Sequence, residues 1–260
     1  MADYQNNIGR HAATAGRSDA VYDEGLRAYM LRVYNYMGLA LALTGIAAMG
    51  FYSIATTGDA SLGVAQVKEG VYLTQIGAVV WTSALKWVVM LAPLALVFFL
   101  SFRINSMSVG AAQITFWVYS ALVGVSLSTI FLVYTTTSIA QTFFVTAAAF
   151  GALSLYGYTT KRDMSAMGSF LIMGVFGLIL AMLVNLFLQS SALQFAISAI
   201  GVLVFAGLTA YDTQKIKNMY DVVAHDETMM GRTAIMGALS LYLDFINMFM
   251  FLLQFLGNRE

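Results

Sequence analysis

The sequence predicts an all-α integral membrane protein of seven transmembrane helices, with the N-terminus inside and the C-terminus outside. Composition is the first sign. Of 260 residues, 60% are hydrophobic and 10% charged, whereas a soluble domain carries about 25% charged residues. Seven apolar stretches approach or exceed the ~20 residues that a bilayer demands of a helix. The basic residues are spread unevenly between the connections, and that bias sets the orientation.

Residues 1–28 are polar and lack the apolar run of a signal peptide. They are expected to form a mobile cytoplasmic tail ahead of a membrane domain over 29–260. The spans are expected near 30–56, 84–102, 109–134, 139–160, 166–189, 192–217 and 233–256. Segment 57–83 is the long connection and mixes polar with apolar residues. Its Trp81, with nearby Trp87, suits an interfacial belt. The third-to-fourth and fifth-to-sixth connections are short and make hairpins. With the N-terminus inside, Arg10, Arg17, Arg27, Arg32, Arg103, Lys161, Arg162, Lys215, Lys217 and Arg232 all fall inside. Only Lys68, Lys86 and Arg259 fall outside. A six-span alternative would place both termini inside.

Pro93, the sole proline, lies in the second span. It frees the carbonyl four residues earlier and is expected to kink that helix. Gly177 and Ala181, four residues apart, suit close helix contact. The hexapeptide GALSLY occurs at 151–156 and again at 237–242. In the first copy's frame Tyr158 stands where Asp244 stands in the second, so the pattern itself requires no acid.

Several function classes are disfavoured. Net charge is zero, which leaves no nucleic-acid footprint. There is no cysteine, hence no disulfide framework, thiol nucleophile or thiolate metal site. His11 and His225 both lie outside the spans, and HExxH, GxSxG and P-loop motifs are absent. No enzyme is expected. A carboxylate-only intramembrane aspartyl protease is the conceivable exception, and its motifs are not found around the acids.

Most of the acids fall in tails or connections, but Asp212 and Asp244 do not. Asp244 is near the centre of the last span, where an acid costs about 3 kcal/mol on insertion scales. Asp212, in GLTAYDTQKIK, lies toward the inner end of the sixth span. The sixth and seventh spans are antiparallel neighbours, so the two carboxyls can approach each other. Gly237, Ser240, Asp244, Asn247 and Gln254 recur at helical spacing and form one polar stripe. In a membrane such a stripe turns away from lipid. Phe245, Phe249 and Leu252 lie opposite and suit lipid contact or packing. At about 4 Å and an effective dielectric of about 20, two carboxylates repel by about 4 kcal/mol. Such a pair titrates as a unit around a shared proton. Fully ionised, it offers hard oxygen ligands to Ca²⁺. Other readings are an interfacial Asp212 paired with Lys215, and a structural hydrogen bond from Asp244 to a neighbouring span.

The stretches LTAYDTQKIK and ALSLYLDFINMF resemble the paired signature of the Bax inhibitor-1 family, the transmembrane Bax-inhibitor-motif proteins, in a bacterial-type member. The resemblance covers essentially the whole membrane region. It implies a fold whose seventh helix is central and wrapped by the other six. It also implies a pH-sensitive Ca²⁺ leak governed by an aspartate pair, matched here by Asp212 and Asp244. An arginine late in the second span, matched by position to Arg103, would bond the sixth-helix aspartate and latch the path shut. The setting implied is a bacterial inner membrane.

Two functions follow as expectations. One is a cation leak, with Ca²⁺ as bound or transported ion, gated by protonation of the pair and needing no other cofactor. The other is a regulatory protein that binds a membrane partner, for example a protease, through the tail 1–28 and the loop at His225, Asp226 and Glu227. Asp221, Asp226 and Glu227 read as a solvated loop and not as a further metal site.

Overall fold

The computed structural model describes the backbone of residues 2–258 and the side chains of residues 22–258. Helix α1 (Ala2–Ala55) leads into three short strands, β1 (Thr56–Thr57), β2 (Ala65–Lys68) and β3 (Val71–Leu73). Then come α2 (Gln75–Thr82), α3 (Leu85–Arg103), α4 (Val109–Leu127), α5 (Ile130–Val133) and α6 (Thr136–Thr159). Helices α7 (Ser165–Leu188), α8 (Ser191–Val223) and α9 (Glu227–Leu256) complete the chain. Among the described residues, 7 helical stretches are long and apolar enough to cross a membrane, with α4 and α5 together making one of them.

The expected spans are all present, but several run longer than their apolar cores. The mobile tail expected over 1–28 is in part corrected. Residues 22–28 belong to the first spanning stretch, Tyr22–Ala55, and Leu26 is already buried. The side chains of residues 1–21 lie outside the described residues. The stretch 218–232 left between the expected sixth and seventh spans shrinks to a connection of residues 224–226, because both helices continue past their apolar segments into polar sequence. Asp226 starts α9 by accepting backbone N–H bonds from Thr228 at 2.8 Å and Met229 at 3.0 Å, the usual N-cap arrangement. Thr74, Ser108, Thr135 and Ser190 cap α2, α4, α6 and α8 in the same way. The 57–83 connection folds into an antiparallel sheet of order β1-β3-β2, followed by α2. Helix α3 runs through Pro93 without interruption.

Helix α9 is the core. Its most apolar window is 61% buried, against at most 39% for any other span. Its main contacts are with α8, α1, α6 and α4, while α3 packs outside on α4 and α7 outside on α8. Four helices therefore supply most of its covering, not six equally. Phe245 and Phe249 are buried, so that face of α9 packs against its neighbours. Tyr242 is wholly buried, and its hydroxyl lies 2.7 Å from Thr44 Oγ1. Thr44 in turn donates toward the carbonyls of Ala40 and Ser120, both at 2.9 Å. The Tyr242 hydroxyl is then the donor to Thr44, and α9, α1 and α4 are pinned together there.

The close helix contact expected at Gly177 is not found. A Cβ there would meet nothing within 4 Å, because that face of α7 points outward. The approach that needs a glycine is elsewhere. At Gly157 a Cβ would sit 2.2 Å from the carbonyl oxygen of Ala210, where α6 crosses α8.

Candidate functional site

Toward their short connection, α8 and α9 enclose a cavity of about 290 Å³. Asp212 and Lys215 line it from α8, and Arg232, Gly237 and Ser240 from α9. Asn105, in the 3-10 turn Ile104–Ser106 after α3, closes another side.

Two contacts set the register of α8 on α9. Gly237 packs against Ile216, and Gly201 against Phe251. In an antiparallel pair this puts Asp212 level with Ser240. Asp244 is then one helical turn deeper, about 6 Å along the axis. Asp244 is 4% exposed, and its Oδ2 has no hydrogen-bond partner among the described residues. Asp212 is half-buried on the cavity wall. The carboxyls are thus staggered, one in the wall and one behind Ser240. A buried carboxylate with an unpartnered oxygen is costly, and a proton or a cation relieves that cost.

The polar stripe runs along the α8-facing side of α9. Gly237 and Ser240 meet the cavity, and Asp244 is in the core. Asn247 donates from Nδ2 to the Leu243 carbonyl of its own helix at 2.8 Å. At the far end, Gln254 Oε1 accepts from Gln194 Nε2 at 2.7 Å, and Gln194 Oε1 accepts from Asn185 Nδ2 at 3.0 Å. That amide chain ties α7, α8 and α9 together.

The structure does not bring Arg103 to the pair. Arg103 ends α3, is exposed, and does not line the cavity. Its neighbours Ile104 and Asn105 do line the cavity, but the Arg103 side chain is turned outward and exposed. The cations at the cavity are Lys215, one turn beyond Asp212 along α8, and Arg232. Arg232 Nη1 donates to the Asn105 carbonyl at 2.9 Å, while its buried Nε has no partner among the described residues. From sequence alone Arg232 was only one more inside charge, and nothing marked it as the residue that joins α9 to the turn after α3. The loop residue Asp221 belongs to α8 and accepts a hydrogen bond from the Tyr22 hydroxyl of α1.

Calcium takes six to eight oxygen ligands. The cavity offers Asp212 and the hydroxyls of Thr233 and Ser240 beside two cations. Among the described residues no group of three or more His, Cys, Asp or Glu gathers. That donor set falls short of the six to eight oxygens of a resident Ca²⁺ site.

A family model described as inhibitor of apoptosis-promoting Bax1 matches residues 26–260. The chain belongs to the Bax inhibitor-1 family. It is 46% identical over 247 residues to the inner membrane protein YbhL of Escherichia coli K12, covering 94% of this chain and 98% of that relative. It is 49% identical over 262 residues to the uncharacterized protein RP147 of Rickettsia prowazekii, covering 100% of both. An uncharacterized protein of Caulobacter vibrioides is 44% identical over 261 residues, again covering 100% of both. With its apolar helices, this Bax inhibitor-1 family member is an integral membrane protein.

Proposed function

We propose that the protein is a pH-sensitive calcium leak of a bacterial inner membrane, with its N-terminus cytoplasmic and its C-terminus on the opposite face. The observation that carries this reading is the placement of Asp244: buried, with Oδ2 unpartnered, one turn beyond a cavity whose wall holds Asp212. Protons and Ca²⁺ compete for the two carboxyls. With a proton on the pair, α8 and α9 stay packed and the path is closed. With both carboxyls ionised, their repulsion opposes that packing, and an entering cation relieves it. Ca²⁺ is cargo in this reading, and no catalysed reaction is proposed.

Calcium flux from proteoliposomes, followed against pH, tests the proposal. Flux rises with pH in the native protein, and Asp212→Asn and Asp244→Asn each flatten the pH response. Flux and pH dependence left intact in both variants would sink the idea.

The family description, which speaks of an inhibitor, favours a second reading. The protein would then bind and modulate a membrane partner such as a protease without conducting ions, using residues 1–28 and the turn at His225, Asp226 and Glu227. Deleting residues 1–21, ahead of the first spanning stretch, would abolish the regulatory effect, and purification with no bound polypeptide would count against it.

A further inference from the structure

Helices α1 and α6 stand side by side against α9 without packing closely on each other. Helix α1 packs on α4 and α9, and α6 on α8 and α9. The seam between them stays open as two recesses. One, of about 570 Å³, is lined by Arg27, Leu31 and Tyr34 of α1 and by Gly151, Ser154 and Leu155 of α6. The other, of about 330 Å³, lies further along the same seam between Met49 and Phe144, and is floored by Phe245 and Phe249 of α9.

The seam crosses the membrane. From Arg27 to Met49 the helix advances about 33 Å at 1.5 Å per residue, close to the ~30 Å of a bilayer's hydrocarbon core. Arg32, also exposed, follows about 7.5 Å further along the helix, so the headgroup region of one leaflet covers this end of the seam and Arg27 stands within it. Its side chain is exposed, and among the described residues it makes no ion pair or hydrogen bond, although Asp23 and Glu24 precede it on the same helix. Below it the walls are mainly apolar; the hydroxyls on them are those of Tyr158 and of Tyr34 and Ser154, the last two lying 2.6 Å apart. A cationic group at headgroup depth above an apolar slot is complementary to one class of molecule.

We propose that the α1–α6 seam binds an anionic phospholipid, its phosphate against Arg27 and an acyl chain along Leu31, Gly151 and Leu155. Two glycines keep the slot open. A Cβ at Gly151, in the first recess, or at Gly45, in the second, would meet nothing within 4 Å. A side chain added at either position starts in open space and projects into the seam. The site is separate from the Asp212–Asp244 cavity, and its occupation does not depend on ion flux.

Native mass spectrometry of the detergent-purified full chain, titrated with phosphatidylglycerol and with phosphatidylcholine, tests the site. The anionic lipid is retained about fivefold better, the ratio that one basic residue near an anionic headgroup supports. Arg27→Gln makes the two lipids equal. Gly151→Phe reduces retention of both, with the lipid-free unfolding midpoint unchanged. Equal retention of the two lipids by the native chain, or a preference that survives Arg27→Gln, overturns the proposal. So does a polypeptide that co-purifies with the native chain and is lost in Gly151→Phe. If Gly151→Phe fails to fold, the comparison of Arg27→Gln with the native chain still decides.

Discussion

Asp244 is costly where it stands, and its surroundings do little to offset that cost. Ser240 and Asn247 flank it on the same stripe, yet Asn247 spends its amide on its own helix and Oδ2 is left without a partner. The acid and its stripe were legible in the sequence, because an acid in an apolar helix stands out and helical spacing tells which neighbours share its face. The cation beside it was not. Arg103 and Arg232 are both inside charges by sequence, and only the outward turn of the Arg103 side chain separates them. Arg232→Met removes the bond to the Asn105 carbonyl and is expected to cost about 1–2 kcal/mol, read as a lower unfolding midpoint in detergent. Arg103→Met changes stability by no more than about 0.5 kcal/mol and leaves the pH dependence of flux unaltered.

At the level of single helices, hydropathy located every span but shortened most of them. The polar ends of α8 and α9 carry no apolar signal, so their continuation to residues 224–226 is set by the Asp226 cap and by packing. Small residues misled in one case for a related reason. Gly177 has the spacing of a helix contact, but spacing does not say which face of α7 meets a neighbour. Gly157 has the contact instead. Gly157→Ala would press a methyl into the Ala210 carbonyl, where its Cβ would sit 2.2 Å away. Overpacking of this kind costs about 1–3 kcal/mol, and thermal unfolding would register it. Gly177→Ala falls in open space and is expected to be neutral within about 0.5 kcal/mol.

At the scale of the whole molecule, the proposed seven-span topology would put the termini on opposite faces. A phosphatase fused after residue 260, active only outside the cytoplasm, is therefore expected to be active, and one fused ahead of residue 1 inactive. Activity at neither end would favour the six-span alternative. The sequence by itself determined the solvent, the number of spans and the family, because lipid imposes length and hydropathy on each helix separately. It also singled out the two aspartates, since an acid in that solvent has few ordinary reasons to be there. What only the tertiary structure decided is which surfaces face one another: that α9 takes most of its cover from four neighbours, that Arg232 and not Arg103 reaches the cavity, and that α1 and α6 leave a seam. Those outcomes depend on the rotation and register of one helix against the next. In a bilayer every apolar face looks alike to the lipid, so composition cannot specify them and side-chain packing must.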